Sequence, residues 1–218
     1  RSIIAPSGKI FITNGRMKPG QDDNSFFEYG GDGTLKARQN MPVSKREHAM
    51  IHLNGFIYVV GGRTLTKKCT TSCHRYDIRK KIWSEIGNTS YAIRKASLSA
   101  MNSRYIFRFG GLNEFDYIDK NIEVYDSMND GWTPVRTSSK FITQETEVLY
   151  GSFAVPINEN TIYIFGGDNM NNFQTDSGYT FSVAEIKERK RKPSKVEGIL
   201  RSLKETRRTI FSYAGRFV

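Results

Sequence analysis

The sequence contains few of the side chains from which metal and catalytic sites are built, with two cysteines and three histidines among 218 residues. Cys69 and Cys73 are too few to staple a secreted fold of this length. We therefore expect a reducing, intracellular setting, with a disulfide in an oxidising compartment as the remaining option. No apolar run approaches the roughly 18 residues of a membrane span, and no signal-peptide pattern is seen.

The histidines and cysteines are also poorly spaced for holding a metal. His48 and His52 would lie about 13 Å apart on a strand, because each residue advances the chain by about 3.3 Å. Cys69, Cys73 and His74 offer no second pair of ligands, which a structural zinc site usually needs. No nucleophile elbow, phosphate-binding loop or metalloprotease helix motif occurs. We predict a protein that is not an enzyme, with no catalytic residue, no metal ligand and no cofactor.

The net charge of +11 is concentrated in one segment. Residues 187–208 hold ten Lys or Arg and three Glu, a balance of +7, which leaves +4 for the rest of the chain. We interpret this segment as a solvated basic insertion or linker. A signal similar to those for nuclear import, or a docking site for anionic lipid or an acidic protein, is the alternative. Nucleic acid is the least favoured partner, because no aromatic residues are interleaved with the charges.

An internal repeat of 48 to 49 residues dominates what the sequence does contain. Aromatic and β-branched runs end in a glycine doublet at three places, and Asn replaces the first glycine at a fourth: Gly61-Gly62, Gly110-Gly111, Gly166-Gly167 and Asn14-Gly15. A tyrosine and a tryptophan keep a period of 49 residues: Tyr76 and Tyr125, Trp83 and Trp132. Unrelated residue types in one register indicate repeated structural units.

Each unit has the length and pattern of a propeller blade. Four short segments of the second unit are predicted strands: Ala49–Leu53, Phe56–Val60, Cys73–Asp77 and Lys81–Ile86. Four antiparallel strands in roughly 40 to 50 residues are typical of a β-propeller. We expect the glycines to let the backbone bend in the crowded space near the axis, and the tyrosines and tryptophans to fill the space between blades.

The doublet, tyrosine and tryptophan at these spacings resemble the kelch repeat. The resemblance is closest in residues 43–88 and 89–140, whereas the first unit has no tryptophan and the fourth has Tyr179 to Val183 where Tyr-Asp is expected. It implies an all-β fold, an incomplete kelch-type β-propeller of about four blades, each with four antiparallel strands. The predicted units are 1–42 (a partial blade), 43–88, 89–140, 141–186, the basic segment 187–208 and the start of a next blade at 209–218. A closed four-blade ring, in which residues 1–15 complete the blade begun at Ile210–Val218, is the alternative.

By resemblance, the chain is expected to be a protein–protein interaction scaffold or substrate-recognition module that binds through the loops of one propeller face. Kelch modules of this type serve as substrate receptors in ubiquitin ligases or as cytoskeletal scaffolds. A kelch enzyme similar to galactose oxidase and a structural protein on actin or microtubules are the alternatives. We expect protein partners, no small-molecule substrate and a monomer at the level of the propeller. The expected location is the cytoplasm, with the cytoskeleton and the nucleus as further options.

Basic residues recur where each unit turns inward, and polar residues follow the doublets. The candidate partner-binding residues are Lys45, Arg46, Arg63, Arg94, Lys95, Asn113 and Asp168, with Arg207 and Arg208 as a looser match. The loops 63–72, 112–120 and 168–177 are expected to provide selectivity. A face with a positive bias would favour an acidic or phosphorylated protein segment. Salt bridges between blades are the competing interpretation of the same residues.

Overall fold

The computed structural model describes residues 1–13, 16–18, 21–135, 150–168 and 178–183. Strands, turns and irregular segments make up these ranges, in which no helix long and apolar enough to cross a membrane is found. Gly15, the part of the third loop that follows Asp168, and the segments 187–208 and 209–218 lie outside the described residues.

The described strands form four sheets that follow one another in the chain and one separate two-stranded hairpin, all of them antiparallel. The first contains β1 (Ser2–Ile4), β2 (Ile10–Thr13), β5 (Phe26–Tyr29) and β6 (Leu35–Ala37), with the hairpin of β3 (Arg16–Lys18) and β4 (Gln21–Asp22) between β2 and β5 in the chain. The second contains β7 (Ala49–Leu53), β8 (Phe56–Val60), β9 (Cys73–Asp77) and β10 (Ile82–Ile86). The third contains β11 (Ser97–Met101), β12 (Tyr105–Phe109), β13 (Ile122–Asp126) and β14 (Gly131–Val135). The fourth contains β15 (Phe153–Asn158), β16 (Thr161–Phe165) and β17 (Gly178–Ser182).

The first strands of successive sheets contact one another: β1 contacts β7, β7 contacts β11, and β11 contacts β15. The sheets therefore radiate from a common axis with their first strands innermost, which is the arrangement of propeller blades. We number them blades 1 to 4. The predicted all-β propeller of about four blades is confirmed, and blade 4 has three strands within the described residues. The boundaries between units stay predictions.

The strands of blade 2 begin and end where the sequence predicts, except at Lys81. This residue has a φ of +60°, and its backbone N–H donates to the carbonyl oxygen of Asp77 at 2.7 Å. Lys81 therefore closes the turn between β9 and β10. The Asp77 carboxylate supports the turn by accepting hydrogen bonds from the backbone N–H groups of Arg79 and Lys80, at 2.9 and 2.8 Å. The aspartate that follows the repeat tyrosine is thus a turn-forming residue.

Aromatic side chains fill the spaces between neighbouring blades. Tyr76 and Trp83 of blade 2 lie against Phe26 of blade 1, with their ring centroids 4.7 and 4.9 Å from that ring. Tyr125 of blade 3 lies 5.7 Å from Tyr58 of blade 2 in the same way. These separations are typical of favourable aromatic contacts, so the rings join the blades as well as filling the space between them.

Phe181 takes the tyrosine position in blade 4. In blades 2, 3 and 4, an isoleucine of the second strand lies opposite this position of the third strand. The pairs are Ile57 with Tyr76, Ile106 with Tyr125 and Ile162 with Phe181. Phe181 is buried against Phe109 of blade 3, with centroids 5.3 Å apart. A phenylalanine can replace the repeat tyrosine because the contact with the neighbouring blade is made by the ring.

The glycine doublets bring backbone against backbone beside the axis. Both glycines of each doublet have a positive φ, with 60° and 107° in Gly61-Gly62, 57° and 101° in Gly110-Gly111, and 65° and 100° in Gly166-Gly167. A Cβ atom on Gly62 would lie 2.8 Å from the carbonyl oxygen of Arg46, and one on Gly111 would lie 2.7 Å from that of Arg94. The second position therefore needs glycine both for its φ and for the space.

Gly62→Ala should destabilise the protein more than Gly55→Ala. Gly55 also has a positive φ, 79°, but a Cβ atom there would meet nothing within 4 Å, so this variant measures backbone strain alone. We expect about 1–3 kcal/mol from strain at either position, and a further loss at Gly62 because its Cβ would meet the carbonyl oxygen of Arg46. Thermal unfolding of both variants measures the difference. Equal melting temperatures would contradict the role assigned to the close approach.

The two repeat tryptophans differ in their surroundings. Trp83 is buried, its indole N–H donates to the carbonyl oxygen of Gln39 at 2.8 Å, and its backbone N–H donates to the Gln39 amide oxygen at 3.1 Å. Trp132 packs against the core between blades 2 and 3, but it is only partly buried. Its indole N–H has no hydrogen-bond partner in the part of the chain that the structure describes. Trp83 is therefore the more strongly held of the two.

Trp83→Ala should lower the free energy of unfolding by about 3–5 kcal/mol, as for other buried tryptophans. Trp132→Ala should cost less, because part of its ring already faces water. Urea unfolding of the two variants gives both values. The variants Trp83→Phe and Trp132→Phe each retain one fluorophore, and the emission of Trp83 should lie at the shorter wavelength. A larger loss of stability from Trp132→Ala would be inconsistent with the observed packing.

Candidate protein-binding face

The segments that follow the doublets lie beside the segments that lead into the innermost strands. In blades 2 to 4 these segments exchange backbone N–H···O hydrogen bonds, in the pairs Arg46 with Arg63, Arg94 with Leu112, and Tyr150 with Asp168. These backbone pairs therefore lie at the same end of the strands in the three blades. We call this surface the doublet face, and define it as residues 46–48, 63–72, 93–96, 112–120, 150–152 and 168.

A line of backbone hydrogen bonds joins the three blades along this face. The N–H of Lys95 donates to the carbonyl oxygen of Glu47 at 2.7 Å, and the N–H of Gly151 donates to that of Lys95 at 2.9 Å. All three residues have a positive φ, 56°, 55° and 71°. The same backbone turn at the same repeat position therefore fixes the loops of adjacent blades relative to one another.

Arg94 is at the centre of an ionic cluster. Its buried guanidinium donates to the Glu47 carboxylate, with Nη1 and Oε2 2.6 Å apart, and to the Asp116 carboxylate. The Nη1 atom of Arg63 lies 3.9 Å from the same Glu47 oxygen. Burial alone would lower the pKa of Arg94, but the contacts with Asp116 and Glu47 outweigh it and raise this pKa, and Arg94 lowers the pKa of Asp116. Arg94 therefore forms a salt bridge between blades 2 and 3.

Lys45 lies inside the protein. Its Nζ donates to the carbonyl oxygen of Ser72 at 2.9 Å, and burial lowers the pKa of this amine to about 8. Contrary to the expectation from the sequence, the Lys45 side chain is not exposed for contact with a partner. Its position differs from that of its neighbour Arg46, which is half-buried at the surface.

Two buried histidines lie in the same blade as Lys45. The Thr13 hydroxyl oxygen lies within hydrogen-bond distance of Nε2 of His48, at 2.8 Å, and Nδ1 of His48 donates to the Lys45 carbonyl oxygen at 3.2 Å. This pair of contacts fits the neutral imidazole that carries its proton on Nδ1. Burial, and then the charge of Lys45, lower the pKa of His48 to about 3 and the pKa of His74 to about 4. Both side chains are therefore neutral at pH 7.

The remaining candidate residues lie on the doublet face in different settings. The Lys95 ammonium is 5.1 Å from the centroid of the Tyr150 ring, within the range of a cation–π contact. Asp168 is half-buried beside Tyr150, to which its backbone is paired. The structure thus brings Arg46, Arg63 and Lys95 to one surface. Their contact with a partner stays a prediction.

The loop after Gly111 presents two aromatic side chains. The Asn113 side-chain oxygen accepts hydrogen bonds from the backbone N–H groups of Phe115 and Tyr117, at 2.9 and 3.0 Å. The Asp116–Arg94 ion pair holds the tip of this loop to the face. Phe115 and Tyr117 are 70% and 60% exposed. Asn113, a predicted partner-binding residue, thus uses its side chain to shape the loop.

Two features of this face are not evident from the repeat. The exposed aromatic pair has a weak local signal, because an asparagine two residues before Phe115 is typical of a turn built on its own side chain. The role of Glu47 has no such signal, since it depends on the meeting of blades 2 and 3. An acidic residue directly after Arg46 is the only hint that the basic residues there have a partner within the chain.

The cysteines occupy separate environments. Cys73 begins β9 and is buried in the core between blades 2 and 3, whereas Cys69 lies in the loop 63–72 with its Sγ 3.8 Å from the carbonyl oxygen of Leu112. Both are free thiols, and burial raises the pKa of each. Among the described residues, no group of three or more His, Cys, Asp or Glu side chains is placed to hold a metal ion.

The fold and the spacing of these residues define a kelch-type propeller, and comparison with known families agrees. The KLHDC2/KLHL20/DRC7 Kelch-repeats domain matches residues 2–198, so the chain belongs to this family of kelch-repeat domains.

Individual relatives are distant in sequence. The chain is 26% identical to Kelch-like protein 38 of Mus musculus over 165 residues, which are 74% of this chain and 27% of that protein. It is 27% identical to alpha-scruin of Limulus polyphemus over 137 residues, 60% of this chain and 14% of that protein. The solved structure of YjhT matches this chain with a TM-score of 0.67 at 13% identity. The match covers 83% of this chain and 61% of the YjhT chain, and it supports the fold alone. The chain spans about a quarter of the length of the Kelch-like relatives it matches.

The protein should lose stability as the pH falls from 6.5 to 5. An unfolded histidine takes up a proton near pH 6.5, whereas the pKa values of folded His48 and His74 are about 3 and 4. The unfolded state therefore binds more protons in this window, and each histidine contributes a loss of up to about 1.4 kcal/mol per pH unit. His48→Gln, which cannot titrate, should reduce the slope, and the slope that remains comes from His74 and from His52, whose pKa is also lowered by burial. A free energy of unfolding that is independent of pH between 6.5 and 5 would contradict the buried neutral state.

Proposed function

We propose that this chain is a protein–protein interaction module that binds partner proteins through the doublet face. The observation that carries the proposal is the pair of exposed aromatic side chains, Phe115 and Tyr117, on a loop held by Asn113 and by the Asp116–Arg94 ion pair. A loop that is already ordered loses little conformational freedom on binding. Aromatic side chains are also among those that contribute most to binding energy at protein interfaces.

The surroundings of this pair have the mixed character of a protein-binding surface. Leu65 in the neighbouring loop and Tyr91 in the segment before β11 add exposed apolar side chains. The backbone of that segment is tied to the loop 63–72, since the N–H of Thr89 donates to the carbonyl oxygen of Thr71 at 3.1 Å. Apolar anchors within a polar and charged rim are typical of the interfaces of soluble proteins.

The charge of the face bears on the kind of partner. Because Glu47 and Asp116 neutralise Arg94, the positive bias is smaller than the sequence alone indicates. We therefore propose that apolar contacts with Phe115 and Tyr117 provide most of the affinity, and that charge mainly changes the rate of encounter. An acidic or phosphorylated partner segment stays a prediction.

Two kinds of assembly are compatible with this role, a substrate receptor of a ubiquitin ligase and a cytoskeletal scaffold. Each depends on parts of a longer protein, and the chain spans about a quarter of the Kelch-like relatives it matches. Both are therefore proposals, as is a cytoplasmic location. The propeller contributes the binding surface in either case.

The test compares variants at opposite ends of the same blade. Phe115→Ala with Tyr117→Ala removes the aromatic pair, and Met128→Ala removes an exposed apolar side chain in the turn between β13 and β14, at the other end of the strands. Proteins captured from a cell extract by the wild type should be lost from the doublet-face variant and kept by Met128→Ala. For a purified partner, we expect a loss of affinity of about 30-fold or more, the effect of a strong interface residue.

Folding must be intact for this comparison, and thermal unfolding supplies the control. The aromatic pair is exposed, so both variants should melt close to the wild type. An unchanged set of captured proteins for Phe115→Ala with Tyr117→Ala, together with losses for Met128→Ala, would place binding at the opposite face. Unchanged capture by both variants would show that the loops at neither end provide the contact.

A further inference from the structure

Blade 4 exposes positions that blade 3 keeps covered. On β11, the side chains that point towards blade 4 include Ser97 and Ser99, which are 4% and 0% exposed. The equivalent residues of β15 are Phe153 and Val155, which are 65% and 40% exposed. Ser97 and Phe153 are equivalent because each is paired with the residue directly before a glycine doublet. The two serines of blade 3 are covered by blade 4, whereas the larger apolar side chains of blade 4 have no blade over them among the described residues.

Aromatic rings on β16 enlarge this exposed surface. The centroid of the Phe165 ring lies 5.7 Å from that of Phe153 and 5.4 Å from that of Tyr163. We call Phe153, Val155, Tyr163 and Phe165 the open face of blade 4. On β12 of blade 3, the positions of Tyr163 and Phe165 are occupied by Phe107 and Phe109, which are buried in the core between blades 3 and 4. The open face is therefore an interblade surface for which the described residues supply no neighbour.

The chain beyond blade 4 contains a segment with the pattern of an innermost hairpin. Met50 and Leu98, which pack against the preceding blade, each lie four residues before the turn that begins at Asn54 or Asn102. Ile210 likewise lies four residues before Ala214-Gly215. Apolar residues surround this turn on both sides, at positions 210, 211, 213, 217 and 218.

The length of chain between blade 4 and this segment also fits. Tyr125 and Phe181 occupy the same position in blades 3 and 4, opposite an isoleucine of the second strand. From Tyr125 to Ala154, the first-strand residue that packs on blade 3, is 29 residues, and from Phe181 to Ile210 is also 29 residues. A connection of this length already spans the step from one blade to the next in this chain.

We propose that residues 209–218 cover the open face of blade 4 as the first hairpin of a further blade. Ile210 then takes the place on blade 4 that Ala154 has on blade 3. The open face is an internal surface of the propeller under this proposal, and it is not a docking site for a partner protein. The doublet face remains available for recognition.

A contact in the structure shows which two positions to link. The side-chain oxygens of Ser97 and Ser152 lie 2.7 Å apart across the interface between blades 3 and 4. Phe153 is the equivalent of Ser97. Arg208 is the equivalent of Ser152, because it precedes Ile210 by two residues as Ser152 precedes Ala154. Cysteines at positions 153 and 208 should therefore come within the reach of a disulfide.

The experiment uses the full chain with Phe153→Cys and Arg208→Cys, in a background of Cys69→Ser and Cys73→Ser. After oxidation at low protein concentration, peptide mass spectrometry should find most of the protein with an intramolecular 153–208 disulfide. The pair Ser97→Cys and Ser152→Cys is the matched control that should link. Met128→Cys with Arg208→Cys should not link, because Met128 lies at the opposite end of the blades.

Disulfide-linked dimers of the 153–208 variant would mean that a second copy of the chain covers the open face, and would overturn the proposal. Free thiols at both positions, with the control pair linked, would overturn it as well. A measurement without new cysteines uses Val155→Asp and Ile210→Asp. Each should lower the melting temperature, and the double variant should fall little further because both changes remove the same contact. An unchanged melting temperature for Ile210→Asp would also contradict the proposal.

Discussion

The structure depends on the mutual covering of blade faces. Each internal sheet has two apolar faces, and in this chain the faces of blades 2 and 3 are buried against their neighbours in three cores. Among the described residues, these cores hold the buried Phe, Tyr and Trp rings: Phe11, Phe26, Tyr58, Tyr76, Trp83, Tyr105, Phe107, Phe109, Tyr125 and Phe181. Because burial of one aromatic side chain stabilises a protein by a few kcal/mol at about 25 cal/mol per Å², the interfaces between sheets contribute more than any single sheet could.

This constraint separates stability from recognition. The repeat tyrosine and tryptophan pack between blades, and the second glycine of the doublet makes room for a neighbouring carbonyl oxygen. Those positions tolerate only changes that keep the packing, such as the phenylalanine ring of Phe181 in place of the repeat tyrosine. The loops of the doublet face are joined to the blades by backbone hydrogen bonds, so their outward side chains, such as Phe115 and Tyr117, take little part in the interblade cores. Arg94 belongs to both parts, since it links two blades and also holds the loop tip through Asp116.

Features governed by backbone geometry could be predicted from the sequence, whereas those governed by pairing across blades could not. The strands of blade 2 were predictable to within one residue, because alternating apolar residues and glycine turns set them locally. The partners of the basic residues were not, because Arg94 meets Glu47 of the preceding blade. Arg108 and Glu123 form a fully buried ion pair, with Nε and Oε2 2.9 Å apart, at positions where blade 2 has Val59 and His74. The repeat pattern predicts that these two positions face each other in both blades, but it does not predict that an ion pair in one blade replaces a valine and a histidine in the other.

Hydrogen–deuterium exchange of the full chain tests the mutual covering of blades most directly. If the interfaces provide the stability, the amides of β8 and β12 should be the slowest to exchange and should open together, because the two strands share one core. The loops 63–72 and 112–120 should exchange sooner. Complete exchange of β8 while β12 stays protected would contradict this account, since it would show that each sheet is stable by itself.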